Sequence, residues 1–242
     1  MSFIDILNKL KIKIFADGAD IHKILSLSDV EYIKGFTTNP SLMRKSGVQN
    51  YEKFARSLLE KITKKPISFE VFADDIDEMH VQAKKIASWG KNVNIKIPIT
   101  NSKGEDTSDL ISSLCNEDIQ VNVTAIFTYN QIKNLISKIN HESKIILSIF
   151  AGRIADTGVD PVPLIKEVVE FTKEYQQAEV LWASPRELLN IYHAENSGCH
   201  IITIAADIIN KLNLIGKDLN QFSLETVNMF YQDAKKSEFK IV

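Results

Sequence analysis

Short runs rich in β-branched and aromatic residues alternate with amphipathic stretches along almost the whole chain. That alternation limits the possible folds more than any other feature. The runs fall at 12–16, 32–37, 67–72, 93–97, 120–125, 144–150, 179–183 and 200–205. Stretches of helical period follow each of them, at 21–27, 51–63, 76–89, 106–116, 128–140, 163–175, 186–197 and 206–212. One more, 223–236, lies past the last pair. Eight β-then-α units in 242 residues predict an α/β chain folded as a (β/α)8 TIM barrel, with an extra C-terminal helix. An open doubly wound sheet is the alternative. It normally carries a Gly-rich phosphate turn after its first strand. Here that turn reads Ala16-Asp17-Gly18-Ala19-Asp20 and lacks the fingerprint.

No linker-like cluster of Pro, Gly and Ser divides the chain. One domain over 1–242 is expected, with 220–242 as a C-terminal helix and tail. The 44% hydrophobic and 25% charged content is ordinary for a globular protein with a buried core. A net charge of −2 gives no electrostatic case for nucleic acid or an anionic membrane. No apolar run reaches the ~18 residues that suggest a membrane span. The N-terminus lacks the basic start and apolar core of a signal peptide. Cys115 and Cys199 lie far apart and match no metal spacing. They read as buried free thiols in a reducing, cytoplasmic setting.

In a barrel, side chains of inward parity at the C-terminal ends of strands converge on one mouth. Seven strand ends carry polar residues there. They are Asp17; Thr37 and Asn39; Glu70; Asn94 and Lys96; Asn122 and Thr124; Ser148 with Phe150, followed by Arg153 and Asp156; and Ser184 with Arg186. Lys96 is the most informative. It lies among Val93, Ile95 and Ile97, just before Pro98 stops strand pairing. A lysine there is either an edge charge or a buried amine. Burial disfavours the ammonium, and a neutral amine can condense with a ketone.

The other residues fit around that amine. Asp17 and Glu70 supply acid/base groups. Asn39, Asn122, Thr124 and Ser148 offer hydrogen bonds to a polyhydroxylated molecule. Arg153, Ser184 and Arg186 form an anion site. Ser184-Pro185-Arg186-Glu187 reads as a helix start, with Ser at the N-cap and Pro at N1. Free N–H groups there favour phosphate.

Each residue also has a plainer reading. Asp17 could cap a helix, and Asn39-Pro40 could be only a turn. Glu70 could pair with a structural lysine. Arg153 and Asp156 could be a surface ion pair, and Arg186 a solvated helix residue.

The motifs in order resemble the transaldolase family. They are Ala16-Asp17, Phe36-Thr37-Thr38-Asn39-Pro40-Ser41-Leu42, Glu70-Val71, Ile95-Lys96-Ile97-Pro98, Asn122-Val123-Thr124-Ala125, Ser148-Ile149-Phe150-Ala151-Gly152-Arg153, Ala183-Ser184-Pro185-Arg186 and Gly198-Cys199-His200 through Ala205. The resemblance covers nearly the whole chain, from Asp17 to about Leu212. It implies a barrel enzyme that uses a lysine Schiff base and no metal or organic cofactor. Such an enzyme moves a dihydroxyacetone unit between sugar phosphates.

Carried over by motif, Lys96 is the nucleophile and Asp17 handles the sugar hydroxyl proton. Glu70 acts through a water that Thr124 also holds. Thr37, Asn39, Asn122, Ser148 and Phe150 surround the substrate, and Arg153, Ser184 and Arg186 hold the phosphate. The related fructose 6-phosphate aldolase subgroup resembles this chain but has Gln at the Glu70 position and Tyr at the Phe150 position. The chain is short, like that subgroup and the small transaldolases. Such small members form large homo-oligomers through a C-terminal helix. One departure is Trp182, where small residues are commoner; it could crowd the mouth or simply pack. His22, His80, His141, His193 and His200 match no motif position and read as structural or surface residues.

Overall fold

The computed structural model describes residues 3–237. The strands are β1 (Lys13–Asp17), β2 (Ile33–Thr37), β3 (Ile67–Glu70), β4 (Val93–Pro98), β5 (Val121–Ile126), β6 (Ile145–Ile149), β7 (Ala178–Trp182) and β8 (Ile201–Ile204). They pair in chain order into a closed barrel, with β8 returning to β1. All pairings are parallel, so the chain between strands must recross the barrel, and helices do this. Closure leaves no exposed sheet edge.

Period-two alternation divides the apolar side chains into two sets. The outer set, including Ile14, Phe36, Phe69, Ile95, Val123, Leu147, Val180 and Ile202, is fully buried and shares one core with the helices. Each such side chain contributes about 1.5–3 kcal/mol of burial. The inner set is small: Phe15, Ile146, Leu181, Ala183 and Ile201, with Phe150 against them. The Phe15 ring fills the space where Gly35 would carry a Cβ, which would lie 2.6 Å from that ring. Apolar residues thus plug the β1 and β6–β8 side of the barrel. Ser68, Asn94 and Asn122, on β3–β5, are buried polar residues.

Several predicted helix ends match their caps. Asp75 accepts from the backbone N–H of Glu78 and starts Ile76–Ala87. Gly198, at φ +76°, follows Asn190–Asn196. Asp17 caps no helix; Asp20 accepts from the N–H groups of His22 and Lys23 instead.

The helix expected over 186–197 is shorter than the sequence suggests. It spans Asn190–Asn196, and Ser184 is not its N-cap. An N-cap needs extended backbone, whereas Ser184 has φ +58°. The residues between form a loop in which Arg186 and Glu187 donate backbone N–H bonds to the Asn190 side chain. The proposed helix N-terminus at Ser184 therefore does not exist. Trp182 has outward parity, is 1% exposed and belongs to the outer core beside His193. It packs and does not crowd the mouth. Both cysteines are free and buried, and burial pushes their thiols up, to about 11 for Cys115 and about 12 for Cys199.

The C-terminal helix spans Leu219–Lys236, starting a few residues earlier than its pattern suggests, with Asp218 as N-cap. The end of the expected tail, 238–242, lies outside the described residues.

Candidate active site

A cavity of about 410 Å³ opens at the C-terminal ends of the strands. Asp17, Thr37, Asn39, Glu70, Lys96, Thr124, Ser148, Phe150, Arg153 and Ser184 all line it. Of the strand-end residues singled out from the sequence, Asn94, Asn122, Asp156 and Arg186 do not.

Lys96 sits near the end of β4, 8% exposed. Its Nζ donates to the Thr38 carbonyl at 3.1 Å and lies 2.9 Å from Glu70 Oε2. The register sets this pair, because Glu70 on β3 lies directly beside Lys96 on β4. The contact is close but poorly aligned. Glu70 Oε2 is buried without a hydrogen-bond partner among the described residues. The amine is therefore largely buried, and it faces a carboxylate. Tyr51 donates its hydroxyl to the Glu70 backbone carbonyl at 2.9 Å, which fixes the end of β3.

Asp17 ends β1. Thr37 donates to its Oδ1 at 2.8 Å, and Asn39 Nδ2 to its Oδ2 at 3.3 Å. Burial pushes its carboxyl above the usual carboxylate value; the Lys96 charge and the Thr37 hydrogen bond offset only part of that. Asn39 has two roles. Its Oδ1 accepts from Leu42 N–H and caps the short helix Pro40–Lys45, with Pro40 in the first turn. The turn reading of Asn39-Pro40 thus gives way to a helix start that also presents an amide to Asp17.

Below the cavity, Asn122 is fully buried. It donates to Ser68 Oγ at 3.0 Å and accepts from Ser148 Oγ at 2.6 Å. Its amide positions Ser148 and does not face the cavity. Thr124 does face it, with Oγ1 buried and lacking a hydrogen-bond partner among the described residues. Beside it, Ala125 has φ +58°, where the β5–β6 register shifts between Val123 and Ile126. Such a bulge re-aims the side chains around it. The left-handed backbone at Ala125 and Ser184, both on the cavity wall, is strain held by the surrounding fold.

The rim is built by close packing. Gly152 donates its N–H to the Ala183 carbonyl at 3.3 Å. A Cβ on Gly152 would lie 1.5 Å from the Ser184 carbonyl oxygen. That contact brings the helix Ala151–Asp156, with Arg153, against the Ser184 loop. The Arg153 guanidinium stands over Phe150, 5.4 Å from the ring centroid. Asp156 pairs with Arg186, not with Arg153. Arg186 Nε donates to Asp156 Oδ1 at 3.0 Å, and both side chains are about half exposed.

Sequence parity missed two contributors. Thr203 on β8 lines the cavity and lies 2.6 Å from Thr37 Oγ1. The inward-parity rule finds it once the eighth strand end is included. The Thr38 carbonyl carries no side-chain signal, so only the structure shows that it holds Lys96.

A buried lysine facing two carboxylates at the C-terminal mouth of a (β/α)8 barrel is an arrangement of enzymes. The chain belongs to the transaldolase/fructose-6-phosphate aldolase family, whose model matches residues 14–241. That membership supports an enzyme of aldol-type chemistry. A probable transaldolase of Dehalococcoides mccartyi is 32% identical over 201 residues, covering 83% of this chain and 89% of that one. A probable transaldolase of Methanococcus vannielii is 34% identical, again covering 83% and 89%. Among solved structures, a dihydrodipicolinate synthase from Rhodopseudomonas palustris aligns with a TM-score of 0.58 at 13% identity, over 92% of this chain and 79% of that one. At that identity the likeness shows the barrel alone. Among the described residues, no helix is long and apolar enough to cross a membrane.

Proposed function

We propose that this chain, as one domain, is a transaldolase. It transfers a dihydroxyacetone unit from sedoheptulose 7-phosphate or fructose 6-phosphate to an aldose phosphate through an imine on Lys96. The observation that carries this reading is the 2.9 Å approach of Glu70 to a buried Lys96 in a cavity that also holds Asp17.

Glu70 takes the Nζ proton, and the freed amine attacks the ketone carbon. The carbinolamine loses water as Glu70 returns a proton to the departing oxygen. The unpartnered Thr124 Oγ1 is available to hold that oxygen. Asp17 then takes the proton of the hydroxyl on the far carbon of the bond that breaks, so that this carbon leaves as the aldehyde. The C–C bond electrons move to the iminium nitrogen, and the aldose phosphate leaves. The enamine attacks the acceptor aldehyde, Asp17 gives its proton back, and hydrolysis frees Lys96.

Arg153 and Ser184 hold the phosphate. Arg186 contributes through its pairing with Asp156, which supports the rim. Glu70 and Phe150, in place of Gln and Tyr, favour transfer over release of free dihydroxyacetone. The setting is cytoplasmic, in the non-oxidative pentose phosphate pathway, and the active form is a homo-oligomer.

Borohydride trapping with fructose 6-phosphate, read by mass spectrometry, tests the chemistry. The expected result is one reduced adduct on Lys96, and its absence rejects the mechanism. Product analysis with and without an acceptor aldehyde tests the class. Free dihydroxyacetone released as fast as transfer would make the enzyme an aldolase.

A further inference from the structure

The eighth strand contributes a side chain that the chemistry above leaves unused. Thr203 lines the cavity, is 7% exposed and lies with Oγ1 2.6 Å from Thr37 Oγ1. Thr37 in turn donates to Asp17 Oδ1 at 2.8 Å. A hydroxyl carries one proton. The Thr37 proton is committed to Asp17, so the short contact between the threonines is a hydrogen bond only if Thr203 donates. The order is Thr203 to Thr37 to Asp17, across three adjacent strands whose register sets Thr203 beside Phe15 and Thr37 beside Asp17. Among the described residues, the other carboxylate oxygen, Oδ2, accepts only the longer 3.3 Å bond from Asn39.

We propose that Thr203 is a positioning residue: through Thr37 it holds Asp17 Oδ1 as a fixed acceptor and leaves Oδ2 to exchange the proton with the substrate hydroxyl. The inference rests on the transaldolase reading. The charged groups facing Asp17 are Lys96 from β4 and Glu70 from β3. Thr37 and Asn39, from β2 and its loop, and Thr203, from β8, are neutral. Linked hydrogen bonds polarise one another, so removing the first weakens the second. Asp17 then loses part of the hydrogen bonding that favours its carboxylate, and it holds a proton up to a higher pH.

The test compares Thr203→Val, which keeps the shape without the hydroxyl, with Thr203→Ser, which keeps the hydroxyl. Thr203→Ala gives the same readout should the Val variant fail to fold. The expected result for Val is a kcat for transfer about 3–10-fold lower with KM for the ketose phosphate unchanged. The acid limb of its pH profile moves to higher pH, and Ser restores both. Limbs that superimpose, or equal losses in Val and Ser, would overturn the assignment. Borohydride trapping separates the two levels. An adduct on Lys96 in all variants with unchanged limbs defeats Thr203 alone, whereas no adduct in the wild type defeats the transaldolase reading itself.

Discussion

Glu70 and Asp17 are both carboxylates of the cavity wall, and their surroundings give them different tasks. Glu70 faces the Lys96 Nζ at 2.9 Å, and in the proposed reaction it takes the Nζ proton. Glu70→Gln cannot accept it. The expected result is imine formation slowed by about 10²–10⁴-fold with little change in inhibition by inorganic phosphate, measured by stopped-flow trapping and competition. A large rise in KM at unchanged turnover would contradict this. Asp17 is held above its ordinary value of 3.8 by burial. The folded chain therefore binds its proton more tightly than the unfolded chain does. Stability falls as pH rises from that ordinary value through the folded one, and above the folded value the full cost remains. Asp17→Asn should raise Tm at pH 7 by about 2–4 °C while abolishing transfer, and the gain should vanish near pH 3. A Tm at or below wild type at neutral pH would show that the charge is well compensated. Residues such as Lys96, Glu70 and Asp17 were legible because a strand has a period of two and the barrel gives its ends a common direction. Arg186 was not. Its pairing with Asp156 joins the end of a short helix to a loop whose course no local pattern encodes.

The short elements around the mouth escaped the pattern for a related reason. Pro40–Lys45 and Ala151–Asp156 have six residues each, too few for helical periodicity to emerge. The Ser184-Pro185 pair carries a helix-start signal, but the tertiary fold overrides it. Ser184 takes a left-handed backbone, and its carbonyl meets Gly152. Gly152 is thus the contact on which the Arg153 helix and the Ser184 loop depend. Gly152→Ala would drive a methyl into a backbone oxygen that no rotamer change can move. The expected cost is about 1–3 kcal/mol in a urea titration. The KM for sugar phosphates should rise more than kcat falls, because Arg153 and Ser184 separate. A variant with wild-type KM and midpoint would show that the rim does not set phosphate affinity.

Among the described residues, the C-terminal helix presents an apolar surface that the barrel does not use. The helix Leu219–Lys236 buries none of its residues, and Phe222, Leu224, Val227, Met229, Phe230 and Tyr231 are all exposed. Scattered exposed apolar residues are normal, but so many on one 18-residue helix are not. Helical propensity alone leaves a helix of this length marginal in water, so its apolar side needs a partner. Another copy of the same chain meets that need at every concentration where the protein exists, and symmetric self-association is the commonest arrangement. Val227→Asp with Phe230→Asp places two charges on that surface and touches nothing in the cavity. Light scattering should show a homo-oligomer for the wild type and a monomer for the double variant, with lower thermal stability for the latter. Trapping on Lys96 should persist in the monomer, because the cavity is lined from within one barrel. A wild-type monomer at micromolar concentration would remove self-association as the use of this helix.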